Sequence, residues 1–362
     1  MNEDKATRYH RVRRRAAFGG RAAVLVCLTL LVVSGAGRWL AGIVERLTDA
    51  LPASWMAATV IYVAVCVGLL LAARFPFDLF REWTLERRYG LEREPLAEWL
   101  RSHARGAVLR IAVLCGAAVL LRAAAFATGE AWWLVAATLF GLAHVGWTAA
   151  APLTLSLSGG LHPIRHSVLA ARLKELARRT GSTLQVVEWR GGDDSRRAHA
   201  ALAGLGWTGR IILSDTLLGT LTEDEIEVVV AHEIAHHVHG DVWRGVVWRY
   251  GVWIAALGTA AAALASFTTL EPGELAALPP VALTAACITG LLAPAGLALS
   301  RRHELRADAY ALALTGKPEA FITSMRRLSA NNLLEDRPSR LTRLLSSHPT
   351  VQERLSAALM RK

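Results

Sequence analysis

Three residues on one short stretch have the types and spacing to do chemistry together. His232, Glu233 and His236 stand at i, i+1 and i+4. On a helix, positions i and i+4 share a face one turn apart, so the two imidazoles can hold one Zn²⁺. Glu233 projects beside them, where a carboxylate can take a proton from zinc-activated water. The pentapeptide alone is weak evidence in a chain with twelve His, so the third ligand decides. One extended pattern needs Gly at 239 and His at 242, but the chain has His239 and Val242. The other source is a carboxylate on a later helix. Glu304 and Asp308 stand one turn apart in Glu304-Leu-Arg-Ala-Asp308. Glu304 can complete a His₂Glu set with the fourth position open, and Asp308 can accept the second N–H of a ligating His and fix its tautomer. His237 points about 100° away from its neighbour His236; His239, three residues beyond His236, lies nearer the site face with contact to the metal as the less favoured alternative, and His303 reads as structural.

Two fragments so far apart need elements that bring them together, and composition indicates which. The chain has 362 residues, 53 % of them hydrophobic, with 41 Lys and Arg against 30 Asp and Glu, a net charge of +11. Mean hydropathy is +0.32. Such apolar content excludes intrinsic disorder, and four Cys are too sparse for a disulfide scaffold. The apolar residues form blocks. A membrane crossing takes about 20 of them, and six stretches qualify: 22–44, 55–73, 107–128, 131–157, 245–267 and 277–300. None contains Asp or Glu. Arg38, Arg110, Arg122 and Arg249 lie inside them and read as snorkelling side chains. Cys27, Cys66, Cys115 and Cys287 read as packing residues. Trp39, Trp55, Trp132, Trp133, Trp243 and Trp248 read as anchors at the membrane–water boundary.

Charge orients the spans. The basic tail before the first span and the Arg-rich segment 74–105 belong in the cytoplasm, while the intervening loops are net acidic. The excess of positive charge is thus a topology signal, and no nucleic-acid partner is expected. The rival, a cleaved leader ending near Ala36, conflicts with the apolar stretch continuing through Trp39, Leu40 and Ile43. Six spans place both termini, His232, His236 and Glu304 on the cytoplasmic face. The last two spans form a hairpin that returns Glu304 to the side where His236 lies.

The longest aqueous stretch, 158–244, reads as a helix over 166–180, a strand over 183–189, a turn-rich loop at 191–195 and a hairpin from 200–205 and 210–214. Thr222 and Glu225 form a capping box opening the zinc helix, 223–239. The expected fold is mainly α: a polytopic membrane protein with a cytoplasmic-face, gluzincin-like zinc protease domain containing a small β-sheet. The expected domains are 1–157, with four spans, and 158–362, with the zinc helix, two spans and the third-ligand helix.

These motifs resemble the type I CaaX prenyl protease family, integral-membrane zinc metalloproteases related to the HtpX heat-shock protease. Glu304-Leu-Arg-Ala-Asp308 is similar to the family's ExxAD, and Ser347-His-Pro-Thr-Val-Gln-Glu-Arg354 to its SHPxxxER. Ile211–Leu218 is similar to the segment before its zinc helix. Trp83-Thr-Leu-Glu86-Arg-Arg-Tyr-Gly90-Leu91 resembles its N-terminal FxIExxxGF signature and favours the CaaX branch. The resemblance implies one Zn²⁺ per chain, ligated by His232, His236 and Glu304, with Glu233 as general base. It implies that His348 donates to the developing oxyanion and that Arg354 orients it or the substrate. The family's edge-strand Asn aligns here with His199, and an additional span of eukaryotic members is missing. The expected activity is endopeptidase cleavage of a peptide or protein substrate, membrane-associated or lipidated, at the cell membrane. The alternatives are an HtpX-like quality-control protease and, from another class, a non-catalytic zinc-containing membrane scaffold.

Overall fold

The computed structural model describes residues 5–91, 94–157, 159–190, 198–331 and 339–359; the expected loop at 191–195 lies outside them. The N-terminal half is helical: α1 (Lys5–Val33), α2 (Ala36–Thr48), α3 (Ser54–Asp78), α4 (Leu85–Tyr89), α5 (Leu96–Thr128) and α6 (Trp132–Leu157). The sheet region follows: β1 (Leu161–Pro163), α7 (Ser167–Arg179), β2 (Gln185–Trp189), β3 (Ala200–Ala203), β4 (Arg210–Ser214) and α8 (Asp215–Thr220). Then come α9 (Glu223–Val238), α10 (Asp241–Phe267), α11 (Leu278–Thr315), α12 (Pro318–Asn331), α13 (Arg340–Leu344) and α14 (Val351–Leu359).

Among the described residues, five helical runs are long and apolar enough to cross a membrane: Thr7–Val33, Ser54–Tyr89, Leu96–Leu157, Asp241–Phe267 and Leu275–Thr315. The third holds two of the expected spans, α5 and α6, joined through the short 3₁₀ turn Gly129–Ala131. The expected span at 22–44 is corrected. Gly35 adopts φ +76°, a left-handed conformation that breaks the helix after Val33, and α2 starts anew at Ala36.

By contacts the chain divides into two compact units. One comprises Met1–His10, Ala143–Trp248 and Ala293–Lys362; the other Arg11–Leu142 and Arg249–Leu292. In the second unit, Tyr62, Val63 and Cys66 of α3 pack with Ala41 and Val44 of α2 and Cys115 of α5. Arg122 does not snorkel. It is 5 % exposed and donates to the carbonyls of Trp55 (3.0 Å) and Gly273 (2.7 Å) and to the Thr59 hydroxyl. A guanidinium has enough donors for three acceptors, so it links α3, α5 and the loop before α11. Trp132, also expected at the boundary, is 1 % exposed in a core with Leu257 and Val281.

The first unit holds the sheet, ordered β1-β2-β4-β3. β2 and β4 run parallel with Val187 opposite Ile212, and β3 forms the antiparallel edge with Leu202 opposite Ile211. Leu169, Leu173 and Leu176 of α7, Ile211 and Leu213 of β4, and Ile226, Val230 and Ile234 of α9 make one buried core. The helix that carries the chemistry is thus wedged between the sheet and α12, where Val228 meets Phe321 and Met325.

Candidate metal centre

α9 begins where its sequence says it should. The Glu225 amide donates to the Thr222 hydroxyl (3.4 Å) and the Thr222 amide to the Glu225 carboxylate (2.8 Å), closing the capping box. Two turns later, His232 and His236 stand with ring centroids 4.8 Å apart and their Nε2 atoms at 3.2 Å. α11 brings in Glu304, which is 7 % exposed. Its Oε2 lies 3.5 Å from His232 Nε2 and its Oε1 3.6 Å from His236 Nε2. Ligand atoms about 2.1 Å from a tetrahedral ion sit about 3.4 Å apart, so the three separations fit the edges of a zinc-sized polyhedron.

The far side of each imidazole supports that fit. His232 Nδ1 is 2.9 Å from Asp308 Oδ1, and His236 Nδ1 is 2.9 Å from Asp241 Oδ2. Each carboxylate holds the proton on Nδ1 and leaves the Nε2 lone pair facing the common point. Among the described residues these three side chains form the group able to hold a metal.

The Peptidase family M48 profile matches residues 163–362, and one described as "CAAX prenyl protease N-terminal, five membrane helices" matches residues 2–154. The chain belongs to peptidase family M48. It is similar to the uncharacterized metalloprotease YhfN of Bacillus subtilis, 26 % identical over 63 % of this chain and 56 % of the relative. It is 25 % identical to CAAX prenyl protease 1 of Saccharomyces cerevisiae over 84 % of this chain and 72 % of that one. Protease HtpX of Glaesserella parasuis is 30 % identical over 41 % of the chain and 57 % of its own length. The chain thus spans a little over half of YhfN and of this HtpX. In fold it matches the crystal structure of S. mikatae Ste24p with a TM-score of 0.82 at 20 % identity, covering 98 % of this chain and 87 % of that one.

In this M48 chain Arg354 of α14 lies against both carboxylates of α11. Its Nε is 2.7 Å from Asp308 Oδ2, and its Nη1 is 3.8 Å from Glu304 Oε2. His348 Nδ1 is 3.1 Å from Glu304 Oε2, and its side chain is 63 % exposed, so it borders the ligand set on a solvent-open side. Glu233 does not stand free: its Oε2 accepts the Leu202 amide of β3 at 2.9 Å. That bond sets the edge strand directly beside the centre. Burial alone would push His232 down, but hydrogen bonds to Asp308 and Glu304 outweigh it and hold the metal-free imidazole up at about 9.

His237 and His239 are not in the ligand group. His239 caps α9 and packs edge-on to Tyr310. His199 is tied through its backbone, its amide donating to the Ser214 hydroxyl at 2.9 Å, and its ring is exposed. Asp241 is the residue that sequence reasoning missed. It is 9 % exposed and also receives Arg306. The signal was Gly240: at φ +65° it turns the chain after α9 and places the first residue of α10 back against His236.

Proposed function

We propose that the chain is a membrane-integrated zinc metalloendopeptidase of the CaaX type. The observation that carries this reading is the triad of ligand atoms 3.2–3.6 Å apart, with a carboxylate behind each His. His232, His236 and Glu304 would hold the ion, which when bound supplies Lewis acidity toward water and a peptide carbonyl. Glu233 takes the proton from the attacking water and delivers it to the leaving amine. His348 donates to the carbonyl oxygen as it gains charge. Arg354 helps keep the Asp308 carboxylate ionised and in place, against the opposing effect of its burial, and reaches towards Glu304. The β3 edge, held to Glu233 through Leu202, offers backbone groups on which an extended peptide can lie. Residues 1–157 and 158–362 act as membrane and protease domains, a division supported by the gap between the two matched profiles. The cytoplasmic face is assigned to the centre by the charge alternation.

Glu233→Gln tests the chemistry. The variant should keep one zinc per chain and lose proteolysis; retained turnover overturns the role of Glu233. Retained zinc with no turnover in the unaltered chain would favour a scaffold. A quality-control protease is the second reading, supported by the HtpX relatives. Coverage of 84 % of the chain by similarity to CAAX prenyl protease 1 favours the first. Competition between a farnesylated C-terminal peptide and an unfolded membrane protein separates them.

A further inference from the structure

The turn between β3 and β4 carries an aromatic ring that nothing in the proposed chemistry uses. Trp207 is 87 % exposed, the most exposed tryptophan among the described large apolar residues. It is not presented by a slack loop. The Leu205 amide donates to the Thr208 hydroxyl at 2.9 Å, that hydroxyl donates back to the Leu205 carbonyl at 2.9 Å, and the Thr208 amide donates to the same carbonyl at 3.0 Å. The turn is locked, with its indole facing outward.

Its position is fixed by α6, an apolar helix long enough to cross a membrane. Gly204, at φ +92°, packs so closely that a Cβ there would lie 2.9 Å from Pro152 Cγ. At the other side of the sheet, a Cβ on Gly160 would fall 2.2 Å from the Trp189 ring. The Gly204 contact ties the end of β3 to α6, and the Gly160 contact packs the start of β1 against Trp189 of β2. Pro152 lies five residues before Leu157, the last residue of α6, which is about 7 Å along the helix axis. The base of the hairpin tip, Gly204, therefore meets α6 about one and a half turns before its end. Beside Pro152, Leu153 is 61 % exposed and Leu157 79 % exposed, continuing the apolar surface. An indole, with an apolar body and one N–H donor, suits the boundary between acyl chains and headgroups.

We propose that the β3–β4 tip is a membrane-contact surface, with Trp207 seated in the lipid headgroup layer. The occupant is the bilayer itself, argued from continuity with the exposed apolar Leu153 and Leu157 of α6, a helix long and apolar enough to cross a membrane. The consequence is that β3, with Glu233 at Leu202, lies along the membrane surface rather than facing open cytosol.

The test is a depth measurement in the full-length, zinc-loaded chain reconstituted into phosphatidylcholine vesicles. In a background with its four cysteines replaced, Trp207→Cys carries an environment-sensitive fluorophore. Leu157→Cys is the lipid-facing reference. Arg178→Cys is the aqueous reference, because its neighbour Arg179 donates to Leu314, far along α11 from the apolar stretch. A shallow nitroxide lipid should quench the probe at 207 more than the probe at 178, with iodide showing the reverse order. Equal behaviour of the two probes overturns the proposal. So does quenching that appears only when a peptide substrate is added, which would assign Trp207 to substrate. If the cysteine variant loses zinc, the emission difference between the unaltered chain and Trp207→Phe isolates the native indole. Brominated lipid should quench that difference, and an unquenched difference overturns the seat. Neither readout depends on proteolysis.

Discussion

At the scale of single residues, the proposed site predicts that the carboxylates behind the imidazoles govern how tightly a metal is held. Asp241→Ala removes the partner of His236 Nδ1 and strands Arg306, so zinc affinity should fall about 10- to 100-fold. Competition with a chelator measures it. Asp308→Ala should weaken zinc at least as much, because Arg354 then loses its bidentate acceptor. His348→Ala is expected to separate binding from chemistry: zinc content unchanged, kcat lower by about 10²- to 10³-fold, the range for losing one oxyanion donor. Zinc must also displace the proton that metal-free His232 holds up to about 9. Below that pH, apparent affinity should fall about tenfold for each unit of acidification between pH 8 and 6. A pH-independent affinity in equilibrium dialysis would contradict the proton competition. The grouping of His232, His236 and Glu304 was legible in the sequence because helical spacing and liganding chemistry constrain each other. Asp241 was not, since an Asp opening a helix also serves the helix dipole, and only the Gly240 turn reveals its direction.

Elements set how firmly these residues are held. α9 is clamped from both sides at its start: Arg172 of α7 and Lys317, just before α12, share Asp224 and Glu227. Hydrogen bonds from Lys317 and Arg172 hold the Asp224 carboxyl below its ordinary value. Burial opposes ionisation of Glu227, but the same two cations prevail and lower it too. Depressed carboxyls stabilise the folded chain above their unfolded values, near pH 4, and that contribution is lost as pH falls through the folded values. The thermal transition of the unaltered chain should drop on acidification below about pH 4 more steeply than that of Lys317→Met. Thr222→Ala should cost about 1 kcal/mol at the head of the same helix, visible as a lowered Tm. The helices and the hairpin were readable from caps, glycines and periodicity. The parallel pairing of β2 with β4 was not, because short apolar strands carry no record of their partners.

For the whole molecule, the apolar blocks were legible from their lack of acids, but their internal partners were not. Arg122 looked like a side chain reaching for water because its acceptors are backbone carbonyls distant in sequence. Arg122→Met should lower the thermal transition in detergent by several degrees, since it removes the donor to the Gly273 carbonyl and the tie between α3 and the loop before α11. Topology is checked by impermeant labelling of single cysteines in the loop near Glu271 and at Arg178, which the charge alternation places on opposite faces.

The ligand set also imposes an order in time. His232 and His236 precede the passage formed by α10 and α11, and Glu304 follows it on the same unbroken helix, α11. A ribosome therefore releases two ligands long before the third. Zinc can be gripped by all three only once both helices have been made and placed. Arg354, which balances the Asp308 and Glu304 charges, is made later still. A nascent chain stalled before Glu304 carries two histidines and no third ligand.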